Sequence, residues 1–121
     1  MTPSKADNIV LKALPLKAAH FHILLSLADG PVHAYGVRAE VEERTGGQIL
    51  LPAGTLYETF QRMERDGWVE ETKPPRSLQK TANPRWRFFR TTRLGRRVLT
   101  AEIARLEADL AVAREKIPAP R

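Results

Sequence analysis

The chain has 121 residues, enough for one domain with a single modest core. It carries 20 Lys and Arg against 14 Asp and Glu, a net charge of +6 with a pI near 10.2, which favours a polyanionic partner such as nucleic acid or an acidic membrane surface. The absence of cysteine excludes disulfides, thiolate chemistry and Cys-ligated zinc.

The N-terminus carries no signal-peptide pattern. The most apolar run, FHILLSLA, is far shorter than the roughly 20 residues that a membrane span needs. We therefore expect a soluble, cytoplasmic protein that does not insert into membranes.

Prolines divide the chain into segments, because proline breaks helix interiors and is tolerated at helix starts and in loops. The segment between Pro15 and Pro31 has apolar residues at the i, i+3, i+4, i+7 spacing of a helix that faces a core. These residues are Phe21, Leu24, Leu25 and Ala28. A second helix is predicted over 34–45, with Val37 and Val41 on one face and two glycines at its end.

A third helix is predicted over 53–66, in the stretch PAGTLYETFQRMERD. Leu56, Phe60 and Met63 fall in one narrow sector of the helical wheel and should form its core stripe. Much of the remaining surface is polar and able to bond base edges or phosphates. The candidate DNA-reading residues are Thr55, Tyr57, Glu58, Gln61 and Arg62. Taken alone, the helix fits equally well a solvated surface in which Tyr57 only packs.

Two short segments at 68–73 and 85–90 alternate aromatic or branched residues with polar ones and read as strands around a polar loop. A long helix is predicted from 92 to about 115. Three helices followed by a hairpin make a winged helix-turn-helix, whose third helix enters the major groove. The expected fold is mainly α with a small β-hairpin, with a DNA-binding domain and N-terminal extension over 1–91. Residues 92–121 would form a C-terminal dimerisation helix and tail.

The cations concentrate on this hairpin and the first turns of the last helix. Nine Lys and Arg and no acid occur from 73 to 101, which is the charge segregation expected of a duplex-binding face. The wing residues expected to contact the DNA backbone are Arg76, Lys80, Arg85 and Arg87. We hypothesise that Arg62 and Tyr57 help to specify sequence, whereas Arg85 and Arg87 mainly anchor phosphates.

Three stretches, at 20–47, 51–71 and 87–107, resemble the PadR family of bacterial transcriptional regulators. GTLY followed by an amphipathic helix that ends in DGW is the most specific part. The resemblance implies a dimeric winged-helix repressor that binds a palindromic operator and often responds to a small molecule. It places Thr55 and Tyr57 on the recognition helix, and it matches His33 and Tyr35 to an HGY-like turn that would contact the DNA backbone.

The chain departs from the family pattern at two places. Ala34 stands where glycine is usual, so the backbone of that turn is expected to differ slightly. The wing has no aspartate, whereas the wings of many relatives are rich in it. This second departure favours contact between this wing and phosphates.

Apolar residues in the last helix follow the 4, 3, 4, 3, 4 spacing of a heptad seam. They are Leu99, Ile103, Leu106, Leu110, Ala113 and Ile117. We expect an intermolecular seam and a two-fold dimer; the alternative is packing against the chain's own segment IVLKAL. The resemblance implies an N-terminal helix packed with the partner's last helix. This helix has no aromatic residue, so the sequence does not locate a pocket for an effector.

Catalysis is not expected. His20 and His22 would point about 160° apart on a helix and cannot share a metal, and no nucleophile motif, phosphate loop or metal-spacing cluster occurs. No cofactor is expected either. The main alternative to a DNA-binding regulator is a winged-helix protein-interaction module that does not bind specific DNA.

Overall fold

The computed structural model describes residues 2–120, which contain five α-helices and a small sheet. The elements are α1 (Lys5–Lys12), α2 (Ala18–Ser26), β1 (Val32–His33), α3 (Ala34–Arg44), α4 (Ala53–Arg65), β2 (Val69–Thr72), β3 (Phe88–Thr91) and α5 (Arg93–Lys116). A 3₁₀ turn, Arg76–Leu78, lies in the loop between β2 and β3. Within residues 2–120, no helix is long and apolar enough to cross a membrane.

The residue pattern did not predict the short helix α1, although the resemblance implied an N-terminal helix. Its start is a capping box: the Ser4 hydroxyl accepts a hydrogen bond from the Asp7 amide at 3.1 Å, and the Asp7 carboxylate accepts one from the Ser4 amide at 3.0 Å. Asp7 also binds Arg97 of α5, and these contacts hold its pKa below the ordinary value, the Ser4 amide contributing most. The helix therefore packs on α5 of its own chain, as the alternative interpretation of IVLKAL proposed.

The core face of α2 differs from the prediction. Ile23, Leu24 and Leu27 are buried, whereas Leu25 and the other two residues of the predicted face are only partly buried. Because α2 is apolar on almost every side, two registers one residue apart satisfy the same spacing. His20 completes the observed face, where its ring meets that of Trp68 edge-on at 5.8 Å.

The sheet has three antiparallel strands in the order β1-β3-β2, so the predicted hairpin is present but has a third strand beside it. Its second strand begins at Phe88, three residues later than predicted. In the hairpin, Val69 pairs with Thr91 and Thr72 with Phe88. The added strand β1 has only two residues, too few to show an alternating pattern. It joins the turn before α3 directly to the wing.

The long helix α5 begins just after β3, and its first turn packs against the Trp68 carbonyl group, just before β2. The Thr92 hydroxyl caps it by accepting from the Gly95 amide at 3.0 Å, and a Cβ at Gly95 would lie 2.0 Å from the Trp68 carbonyl oxygen. Further along, the buried Glu102 carboxylate accepts hydrogen bonds from the Arg105 guanidinium and from the Leu16 amide. These bonds, that from Arg105 above all, lower the pKa of Glu102. The second half of the helix, from 107, is exposed on every side in this chain.

Candidate nucleic-acid interface

The third predicted helix has the expected orientation. The inner face of α4 carries Leu56, Phe60 and Met63, which are almost completely buried, and this confirms the core stripe. Most of the candidate reading residues are exposed, and one of them is half-buried. The exposed ones are Thr55, Glu58, Gln61 and Arg62, and the half-buried one is Tyr57. Gly54, in the first turn, has open space where a side chain would be, so the backbone there can approach a ligand closely.

The candidate reading residues do not form one patch, because Tyr57 and Arg62 lie on opposite edges of α4. Arg62 faces a cleft beside the connection between α1 and α2, which Lys17 and His20 also line. Burial and then the charges of Lys17 and Arg62 lower the pKa of His20. Between the two edges, Glu58 and Gln61 point outward together with the exposed Arg65. Arg65 belongs to this central face and was not among the predicted reading residues.

Tyr57 lies between a ring and a cation. The Tyr35 ring meets it edge-on with centroids 5.8 Å apart, and the Arg87 guanidinium carbon lies 5.5 Å from its centroid. Burial and the neighbouring Tyr35 raise the pKa of Tyr57. Its hydroxyl therefore stays protonated at neutral pH and can both donate and accept a hydrogen bond.

Arg87 is engaged by this protein itself. Its Nε and Nη2 donate to the two oxygens of Glu71 at 3.1 and 3.0 Å, and this pairing lowers the pKa of Glu71. Its carbonyl oxygen accepts from the Ala34 amide at 3.2 Å, next to the β1–β3 pairing. The segment from 73 to 101 contains no acid, so the partner of Arg87 could be found only from the register with β2.

The remaining wing cations that were predicted to contact phosphates are arranged differently. Arg76, Lys80 and Arg85 are exposed, and none of the three forms a salt bridge within residues 2–120. Side chains shape the loop that carries them: the Gln79 amide donates to the Pro74 carbonyl, and the Asn83 side chain accepts from the Arg85 amide at 2.9 Å. These three charges are therefore available to an external anion.

The turn before α3 is joined to the wing by an aromatic stack. The His33 and Trp86 rings are nearly parallel, at 8°, with centroids 4.2 Å apart. The His33 Nδ1 accepts from the Gly36 amide at 3.1 Å and caps α3, so the neutral ring carries its proton on Nε2. Burial lowers the pKa of His33 and favours this neutral form. Tyr35, the other residue predicted in this turn, is exposed.

The predicted dimer seam divides into two parts. Leu99 is buried in the core of its own chain and Leu106 is partly buried. The other four are exposed, and the last of them follows the final helical residue, Lys116. They are Ile103, Leu110, Ala113 and Ile117.

Comparison with known proteins identifies the family. A model of the PadR-like transcriptional regulator family matches residues 23–101, more than half of the chain. None of the curated proteins matches the sequence significantly. Among solved structures, a transcriptional regulator from Clostridium thermocellum has a TM-score of 0.63 at 17% identity, covering 96% of this chain and 99% of its own.

Two further structures carry the PadR name. A PadR-like regulator from Bacillus cereus has a TM-score of 0.66 at 15% identity, covering 93% of this chain and 99% of its own. Bacillus subtilis PadR, solved with operator DNA, has a TM-score of 0.60 at 14% identity, covering 72% of this chain and 47% of its own. These likenesses confirm the winged-helix fold, and the family is one of regulators and not of enzymes. The chain belongs to the PadR-like family of transcriptional regulators.

Proposed function

We propose that this regulator is a sequence-specific DNA-binding repressor that acts as a dimer on a palindromic operator. The observation that carries the proposal is the division of α4 into a buried stripe and an exposed polar face, beside three exposed wing cations that form no salt bridge within residues 2–120. The family supports the same function, as does the B. subtilis relative solved with operator DNA.

The exposed face of α4 suits the edges of base pairs in the major groove. Gln61 can bond adenine through two hydrogen bonds, and Glu58 can accept from the amine of cytosine. Phosphates on either side would be bound by guanidinium and ammonium groups, which carry no sequence information themselves. The exposed wing residues Arg76, Lys80 and Arg85 are assigned this second role.

Dimerisation is proposed to use the exposed end of α5. Two copies related by a two-fold axis would present their α4 helices to half-sites about one DNA turn apart. Leu110 is 56% exposed in the single chain, so Leu110→Lys should change the melting temperature of the monomer little while preventing association. Sedimentation of the wild-type protein as a monomer at micromolar concentration would remove the dimer from the proposal.

Selection of genomic fragments by the purified protein tests sequence-specific binding. The selected sequence should bind more tightly than a scrambled duplex, and log affinity should fall linearly with log salt. Equal affinity for both duplexes would overturn the proposal, and a flat salt response would favour the protein-interaction module instead. Repeating the selection with candidate metabolites tests control by a small molecule. A reporter gene behind the selected sequence should be less active when the regulator is present.

A further inference from the structure

The ion pair between β2 and the wing lies at the edge of the recognition helix. Glu71 pairs with Phe89 in the hairpin register, and Arg87 lies two residues before Phe89, immediately ahead of the first residue of β3. Such diagonal neighbours are within reach of long side chains. The bidentate contact orients the planar guanidinium, which lies 5.5 Å from both the Tyr57 and the Phe89 ring centroids.

Main-chain contacts hold the other side of the same cluster. The hydrogen bond from the Ala34 amide to the Arg87 carbonyl ties the wing to the first turn of α3. The next residue, Tyr35, packs edge-on against Tyr57. The Tyr57 ring is therefore bounded by α3 on one side and by the wing on the other.

We propose that Glu71 is a positioning residue for sequence recognition, which acts through Arg87 to hold the Tyr57 ring in the orientation that presents its hydroxyl to DNA. This inference rests on the proposed function. It assigns Arg87 to bracing the recognition helix, whereas the sequence alone suggested that it anchors a phosphate. Glu71 itself does not touch DNA.

The direction in which one substitution changes the affinity for DNA distinguishes a positioning role of Glu71 from a simple effect of its charge. Glu71→Gln removes a negative charge near a polyanion, which by charge alone strengthens binding to every duplex. If Glu71 instead positions Tyr57 through Arg87, which we call the Tyr57 brace, the substitution weakens binding to the selected duplex. The ratio of selected to scrambled affinity should fall by about tenfold, the size of one mismatched base pair.

Glu70→Gln is the matched control. Glu70 is the neighbouring residue of the same strand and pairs with Arg90 directly across the hairpin at 2.7 Å. Glu70→Gln removes the same charge from the adjacent residue, whose side chain lies on the opposite face of the sheet, and it leaves the contact between Arg87 and Tyr57 intact. It should therefore strengthen binding to both duplexes alike. Identical changes in affinity from the two variants, measured by fluorescence anisotropy, would overturn the inference.

Arg87→Lys provides a second, charge-neutral test. Lysine keeps the charge but cannot form the planar two-pronged contact, so the affinity ratio should again fall about tenfold. A residue that served only as a phosphate anchor would tolerate this exchange, and an unchanged ratio would contradict the brace.

The resonances of the Tyr57 ring in the DNA-free protein give a readout independent of binding. Glu71→Gln should shift them and Glu70→Gln should not. Unshifted resonances would overturn the inference even where the wild type prefers the selected duplex. Conversely, a wild type without any such preference would refute the proposed function, whatever the resonances show, and Glu71 would then have no part in recognition.

Discussion

Replacing Arg85 with alanine should reduce the salt dependence of DNA binding by a predictable amount. Each phosphate neutralised on duplex DNA contributes about −0.9 to the slope of log affinity against log salt. The three wing cations assigned to phosphates, in each of two protomers, give about six contacts and a slope near −5.4. Loss of Arg85 from both protomers should make the slope shallower by about 1.8.

Between 50 and 200 mM salt this difference is large enough to measure. The wild-type affinity should fall by about three orders of magnitude, and the fall should be about twelvefold smaller in the variant. Anisotropy titrations with a selected and a scrambled duplex should show the same change in slope, because a phosphate contact carries no sequence information.

Arg114→Ala is the matched control for charge. Arg114 lies in the last turn of α5 and is exposed, about 30 Å along the helix from its first residue. This distance exceeds the Debye length of about 10 Å at 0.1 M salt, so its loss should leave the slope unchanged when sedimentation shows that the variant still associates, because dimerisation is proposed to use this end of α5. Two variants with equal slopes would show that the wing is not the phosphate-binding surface.

Three further predictions concern stability and can be checked by thermal and denaturant unfolding. Gly95→Ala should lower the free energy of unfolding by about 3 kcal/mol or more, because its Cβ would overlap the Trp68 carbonyl oxygen. Gly54→Ala, with nothing within 4 Å of its Cβ, should instead stabilise α4 by about 0.5–1 kcal/mol. Equal effects of the two substitutions would contradict the packing at α5. Phe60→Ala should lower the free energy of unfolding by about 3–5 kcal/mol and Gln61→Ala by less than about 0.5 kcal/mol. Comparable losses would show that the core stripe of α4 is wrongly assigned. The third prediction concerns pH, because burial lowers the pKa of each histidine below its ordinary value of 6.5. The histidines are His20, His22 and His33. As the pH falls, the histidines of the unfolded chain therefore take up protons near pH 6.5, before those of the folded chain do. The protein should be most stable above that pH and lose stability as the pH drops below it. A melting temperature that stays constant from pH 7.5 to 5.5 would refute this.

Features that depend on local periodicity were predictable from the sequence. The stripe of Leu56, Phe60 and Met63 was correct because three apolar residues on an otherwise polar helix permit only one inward face. The limits of α4 and α5 were correct to within about one residue because glycine and threonine mark their ends. The concentration of cations on the wing was also visible, since it is a property of composition along the chain.

Where the local pattern allowed two solutions, tertiary packing decided between them. The core register of α2 was predicted one residue out, because its apolar surface is nearly continuous and only the neighbours of Ile23 and Leu27 select the buried side. The strand β1 is too short to have a pattern and exists only because β3 lies beside it.

The sequence by itself determined that this protein has a helix with one apolar and one polar face, a basic wing and a long final helix. These follow from residue spacing and charge. The tertiary structure alone decided which of the predicted wing cations form a salt bridge within residues 2–120. Arg87 and Glu71 are 16 residues apart in the chain, and only the pairing of β2 with β3 brings them together. That pairing ties Arg87 to Tyr57, whereas Arg85 is exposed and forms no salt bridge within residues 2–120. A charge with a partner inside the fold is already bound, and a charge without one can bind something else.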